Sequence, residues 1–275
     1  MSYDLELRAP GLYVALGRLG YRLRGSQVLL VDEATGVPVV MDLDREVERA
    51  TLRVPMPRIS TYGQVAAHQV SRLAPQVPGL RVRDPQVDGE HVGAWDEAAF
   101  LRGWDRANRS AHQDRDPPLE GQRYARRPVS PRRVQDFGAW NLAQRLLQLS
   151  SFSAFVPNLF FGLVQGRVRT YVVWGDAMAT WLPRVDFVVV ARNELRVGPS
   201  GGGLESCVVS AQALELALAG LPWVEGPLPY RVIEPEPGLE AWVRSLPTAA
   251  PGSFSGVGLE ELFEAPDETQ ALGPP

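Results

Sequence analysis

The stretch GPSGGGLES, residues 198 to 206, comes nearest in this chain to a chemical signature. Gly198 and Gly203 have the separation of the two glycines in a phosphate-binding loop, where backbone N–H groups at a helix start cradle the anion. The next two positions should hold a lysine and a hydroxyl. They hold Leu204 and Glu205, and a carboxylate there repels a triphosphate. Residues 204 to 209 alternate like a strand, and the helix begins only at Ser210. The run therefore reads as a glycine-rich hairpin connection with no nucleotide. A nucleophile elbow (G-x-S-x-G) and a dinucleotide fingerprint are likewise missing: GPSGG has its glycines one place out, and GVGLEE lies in the tail.

Carboxylates are the next candidates. Asp176 follows an apolar strand in YVVWGDAMATW, and Asp186 opens another in DFVVVARNE, with Glu194 at its far end. Acids at strand ends can hold a divalent metal or work as acid and base. An extended strand would part Asp186 and Glu194 by ~25 Å at ~3.3 Å per residue, so one site cannot use both. Asp176 reads more simply as a helix N-cap. Asp176 and Asp186 remain the catalytic pair of an alternative reading, a hydrolase or nuclease dependent on carboxylates and a divalent metal. The reading preferred over it has no catalytic residue, no metal and no cofactor. His68, His91 and His112 lie far apart with no acid or histidine at ligand spacing, and His68 falls on the polar face of its helix. The single cysteine, Cys207, sits in a half-buried strand pattern, which makes a disulfide within the chain impossible and an inert thiol the expectation.

All 28 basic residues are arginine. Coding bias toward GC-rich codons accounts for this, but the chemical consequence is firm: Schiff-base and P-loop mechanisms that need a lysine are excluded. The net charge of −4 argues against a general polyanion binder. Arginine clusters locally, however, with nine from Arg102 to Arg133 against four acids. RYARR and SPRR interleave an aromatic ring with guanidinium groups, the composition of a phosphate- or RNA-binding segment, or of a surface for an acidic protein. Among the seven tryptophans, Trp181 and Trp223 stand beside Pro183 and Pro222 and are expected at exposed loops. Exposed Trp beside Arg is the composition of a binding hot spot. Arg123, Arg126, Arg127, Arg132, Arg133, Trp181 and Trp223 are accordingly the expected partner-binding residues.

The elements that must position these residues can be read from periodicity. Residues 27–31 and 37–43 alternate around DEATG as a hairpin with Gly36 in its turn, and 51–54 and 80–82 read as strands. Thr61 and Gln64 match a capping box opening a helix that Pro75 and Pro78 stop. Asp96 caps the next helix, with Trp95 and Phe100 at the positions of a hydrophobic staple. Ser130 and Pro131 open a third. That helix has Phe137, Trp140, Ala143 and Leu147 on one face and Ala139, Leu142, Leu146 and Leu149 on another, which predicts burial all round. NLFFGLVQGRVRTYVVWG reads as two strands about Gln165–Gly166. DFVVVARNE predicts a strand covered on both faces, LESCVVS one more before a helix capped by Ser210, and YRVIEPEPGLEAWVRSL a strand and a short helix.

The class is α+β, mostly antiparallel sheet built from hairpins and packed with about five helices. The expected organisation is an N-terminal region over 1–112, a Pro/Arg-rich linker or long loop over 113–130, and a C-terminal region over 131–247 that could be continuous with the first. An acidic Pro/Gly-rich tail over 248–275 ends the chain, ordered only around 259–263. A basic n-region and an apolar membrane-length run are both missing, so a cytoplasmic protein of bacterial type is expected, with no membrane partner. The functional expectation is a non-enzymatic adaptor, immunity-type or assembly component that binds a protein partner with an acidic surface. Nucleic-acid binding through residues 102–133 is a further alternative, after the hydrolase.

Overall fold

The computed structural model describes residues 1–86, 92–113, 127–175, 178–192, 205–250 and 253–265, without the side chains of His112, Gln113, Arg192 and Glu205. The fold is α+β with antiparallel pairing dominant, in two compact units. The first takes Met1–Arg126 with Leu262–Glu264, and the second Arg127–Glu261 with Ala265–Pro275.

In the first unit, β1 (Ser2–Arg8) leads through α1 (Leu12–Arg18) to β2 (Arg22–Arg24), β3 (Gln27–Val31), β4 (Pro38–Asp44) and β5 (Arg49–Pro55). Next come α2 (Thr61–Leu73), β6 (Arg81–Arg83), β7 (Val92–Gly93) and α3 (Glu97–Gln113). The seven strands form one antiparallel sheet in the order β2-β3-β4-β5-β1-β6-β7. The chain's start is thus a central strand, with Tyr3, Leu5 and Leu7 buried on one face. Asp96 caps α3 through the Ala99 amide at 2.9 Å, and Trp95 and Phe100 pack with ring centroids 5.5 Å apart and planes tilted by 43°, as the staple requires.

The capping box expected at Thr61 and Gln64 does not form. Thr61 is already inside α2, and the N-cap, Ser60, makes no side-chain cap bond. The Glu264 carboxylate accepts from the Ser60 amide instead, so an acid 204 residues away takes the part assigned to Gln64. Tertiary contact has replaced a local cap.

The second unit starts with β8 (Arg127–Val129) and α4 (Pro131–Ser150). Strands β9 (Phe160–Val164) and β10 (Arg167–Gly175) come next, joined at Gln165 and Gly166, both with positive φ as in a type I′ turn. After β11 (Thr180–Pro183) and β12 (Phe187–Arg192) come β13 (Glu205–Ser210), α5 (Ala211–Ala217), β14 (Tyr230–Ile233), α6 (Pro237–Ser245) and β15 (Phe254–Val257). The main sheet runs β13-β12-β10-β9-β15, and β11 pairs with β14 as a separate antiparallel ribbon. In β12, Phe187, Val188, Val189 and Val190 are all buried, which explains its unbroken apolar run. It pairs antiparallel with β13, the relation a hairpin imposes on the strands flanking GPSGGGLES; residues 193–204 lie outside the described residues. Its other neighbour, β10, runs parallel to it, because the chain makes β11 before returning to the sheet.

Two expectations need correction. The segment from 248 is more than a tail ordered at 259–263, because β15 pairs with β9 at the sheet edge and satisfies its backbone groups there. Helix α4 is not buried all round. Val134, Phe137, Gly138, Trp140 and Asn141 are inside, whereas Leu142, Leu146 and Leu149 face out.

Candidate functional site

The second half of α4 turns amides toward the fold. Asn141 Nδ2 donates to the Leu159 carbonyl at 2.9 Å, and its Oδ1 accepts from the Leu159 amide at 2.7 Å. Gln144 Nε2 donates to the Val156 carbonyl at 2.7 Å. Gln148 bonds both the Ala154 carbonyl and the Val156 amide, at 2.9 and 2.8 Å, and Trp140 Nε1 donates to the Pro157 carbonyl at 2.7 Å. Residues 154–159 have no strand partner over most of their length, and α4 supplies side-chain partners for their backbone groups. Residues 141, 144 and 148 share one helical face, so turning them inward turns the leucines outward.

The outward residues Ala139, Leu142, Leu146 and Leu149 are spaced 3-4-3, the seam of a helix that packs on another helix. Leu146 is 69% exposed and Leu149 74%. The stripe ends at Phe152, 98% exposed, one residue beyond the C-cap Ser151 and with φ +55°. This is the position where helices usually place glycine; a bulky side chain there costs about 1 kcal/mol. The exposed charges on α4 are Arg132 and Arg145; its one acid, Asp136, is half-buried. Burial pushes the Asp136 carboxyl up, helped by Asp186 and opposed by Arg132 and Arg133. The outer face is an apolar stripe bordered by positive charge.

Arg123, Arg126 and Asp176 lie outside the described residues. Arg132 is exposed, and Arg127 is half-exposed with Nε 3.9 Å from the Glu261 carboxylate. Arg133 is turned inward. Its Nε and Nη2 donate to the two oxygens of Asp186 at 3.0 and 3.1 Å. Asp186 also accepts from the Thr170 amide at 2.8 Å and its hydroxyl at 3.0 Å, and Arg169 lies 3.6 Å away. Burial alone would raise its pKa, but the Arg133 and Thr170 bonds outweigh that and hold the carboxyl below its usual range. Asp186 serves as a tie between α4 and the sheet, with both oxygens occupied.

Trp181 is a strand residue rather than an exposed loop residue: it lies in β11 and stacks on Tyr230, ring centroids 5.1 Å apart. Trp223 is exposed, and the Arg231 guanidinium covers its ring at 4.4 Å. Trp223 and Arg231 line a pocket of about 130 Å³ with Leu182, Leu214, Glu215 and Leu218. Sequence reasoning passed over Arg231, although a strand places residues 231 and 233 on the same side and Ile233 is fully buried. Elsewhere, His68 is exposed, Arg102, Arg106 and Arg109 are exposed on α3 with Arg109 paired to Asp105, and Cys207 is buried. Among the described residues no three His, Cys, Asp or Glu side chains stand close enough to hold a metal, and no helix is long and apolar enough to cross a membrane. Comparison with known protein families, curated proteins and solved structures returned no match.

Proposed function

We propose that this chain acts by binding another protein, as an adaptor, immunity-type or assembly component, and that α4 carries the contact. The observation behind this is the inverted second half of the helix: Asn141, Gln144 and Gln148 face the fold while Leu142, Leu146 and Leu149 face solvent. A helix contributing only to its own fold gains most by the opposite arrangement, since each leucine buried is worth roughly 1.5–3 kcal/mol. Contiguous exposed apolar surface of this kind marks an interaction site. The partner is an amphipathic helix with acidic borders, because α4 offers an apolar seam between Arg132 and Arg145. A second copy of α4 laid antiparallel on the first would set Arg145 near its own equivalent. Charge therefore favours a different, acidic partner.

Two substitutions test this in opposite directions. Phe152→Gly is expected to stabilise the isolated protein by about 1 kcal/mol, because glycine removes the cost of positive φ. Leu146→Ser is expected to leave the unfolding midpoint within about 0.5 kcal/mol of the parent. Both should weaken capture of the native partner at least tenfold in affinity purification quantified by mass spectrometry. Undiminished capture by both variants would refute the reading.

A further inference from the structure

The pocket beneath Trp223 contains an arginine whose hydrogen bonding is incomplete. The Arg231 side chain is only 7% exposed. Its Nη2 donates to Glu215 Oε2 at 2.8 Å, while its Nε is buried with no hydrogen-bond partner. The Trp223 ring covers one side of the guanidinium. Buried donors are rarely left unmet, and a buried cation with an idle N–H lies higher in free energy than one fully bonded. Glu215 does not remove that deficit. Its side chain is 47% exposed, and it uses one edge nitrogen of a fork that takes a carboxylate with two.

We propose that this pocket binds a carboxylate attached to a small apolar body. The incoming carboxylate is held side-on by Arg231 Nε and Nη2, and Glu215 holds Nη2 until the ligand displaces it toward solvent. Leu182, Leu214 and Leu218 receive the apolar body, and Trp223 covers the guanidinium. The chemistry selects a monoanion. The lining carries two arginines, the buried Arg231 and the exposed Arg184, against Glu215, and the net single positive charge is matched by one carboxylate and exceeded by a phosphate dianion. The pocket is built without any α4 residue, so its test is independent of partner capture.

Glu215 makes the proposal specific. A tethered carboxylate competes with the ligand, so the apparent affinity is the intrinsic one multiplied by the fraction of time the pair is open. Glu215→Gln weakens that competitor at a half-exposed position and keeps a side-chain oxygen able to accept from Nη2, and a melt of the variant beside the parent checks that it is folded. Benzoate titrated calorimetrically is expected to bind Glu215→Gln about tenfold more tightly than the parent, and Arg231→Met not at all. Benzamide, the uncharged analogue, should not bind either form. A tripeptide with a free terminal carboxylate, compared with its amidated form, separates the sources: binding of the free form assigns a chain terminus, and binding of benzoate alone assigns a small molecule. The proposal fails if Glu215→Gln binds benzoate no more tightly than the parent, if neither carboxylate saturates, or if inorganic phosphate binds in preference to both.

Discussion

Gly63→Ala is expected to destabilise the protein by about 2 kcal/mol, although alanine normally stabilises a helix relative to glycine by roughly 0.5–1 kcal/mol. The reversal comes from Trp104. Gly63 lies in α2, and the indole of Trp104, from α3, rests directly against it. A β-carbon at residue 63 would fall 2.5 to 2.9 Å from three carbons of that ring. Trp104 is 1% exposed, and a rigid, enclosed ring has nowhere to go. A pair of variants separates steric overlap from any general intolerance at the site. Trp104→Leu alone opens a cavity and costs about 3 kcal/mol. In that background Gly63→Ala should cost little or become favourable, leaving a coupling energy above about 1 kcal/mol in a double-mutant cycle. Denaturant melts of the four proteins decide the matter; additive losses, or a rise in midpoint for Gly63→Ala alone, would rule out the contact as the cause.

Asp186→Asn is expected to cost about 3 kcal/mol at neutral pH. Arg133 would be left without its bidentate partner, and removing one side of a buried ion pair strands the other. Both side chains keep roughly a fifth of their surface in water, which places the cost at the low end for such pairs. The pH dependence comes from the lowered pKa. The unfolded carboxyl titrates near ~3.9, and the folded one below that. The stabilisation is therefore complete above about pH 4 and disappears as pH falls through the folded value. The difference in unfolding free energy between the parent and Asp186→Asn should be flat from about pH 5 to 8 and shrink below about pH 4. Asp136→Asn offers the contrast. Burial raises that pKa, so ionising Asp136 opposes folding, and removing the charge should leave the midpoint at neutral pH unchanged or higher. If Asp186→Asn were as harmless as Asp136→Asn, the assignment of Asp186 as a structural tie would be wrong.

Together these expectations separate residues that hold the fold from those that face outward. Asp186 and Arg133 looked available for chemistry and for partner binding by type and position, but they satisfy each other. Leu142, Leu146 and Leu149 looked like core by type, but they are on the surface. The consequence for the proposed function is one of emphasis: the proposed contact rests on the outer face of α4, where Arg132 of the expected arginine set borders the leucine stripe.

Local chemistry determined a good deal without tertiary information. Gly36 and the Gln165–Gly166 pair marked hairpin turns, because positive φ is a single-residue requirement. Asp96, Ser130 and Ser210 marked helix starts, because a cap needs only a side-chain oxygen two or three residues from a free amide. The valine run of β12 and the burial of Cys207 could be read from side-chain period and composition. The missing lysine excluded whole mechanisms, since no fold can supply an absent group. Three features were decided only by tertiary structure, each by a partner outside the element concerned. Glu264 stands in for the local cap of α2, its carboxylate accepting from the Ser60 amide. The polar residues of α4 turned inward because segment 154–159 has backbone groups to satisfy, a demand invisible on a helical wheel that counts only apolar faces. Arg231 is buried because α5 and the segment carrying Trp223 close around it. Periodicity says which residues share a face; only the neighbours of that face decide whether it turns inward or toward water.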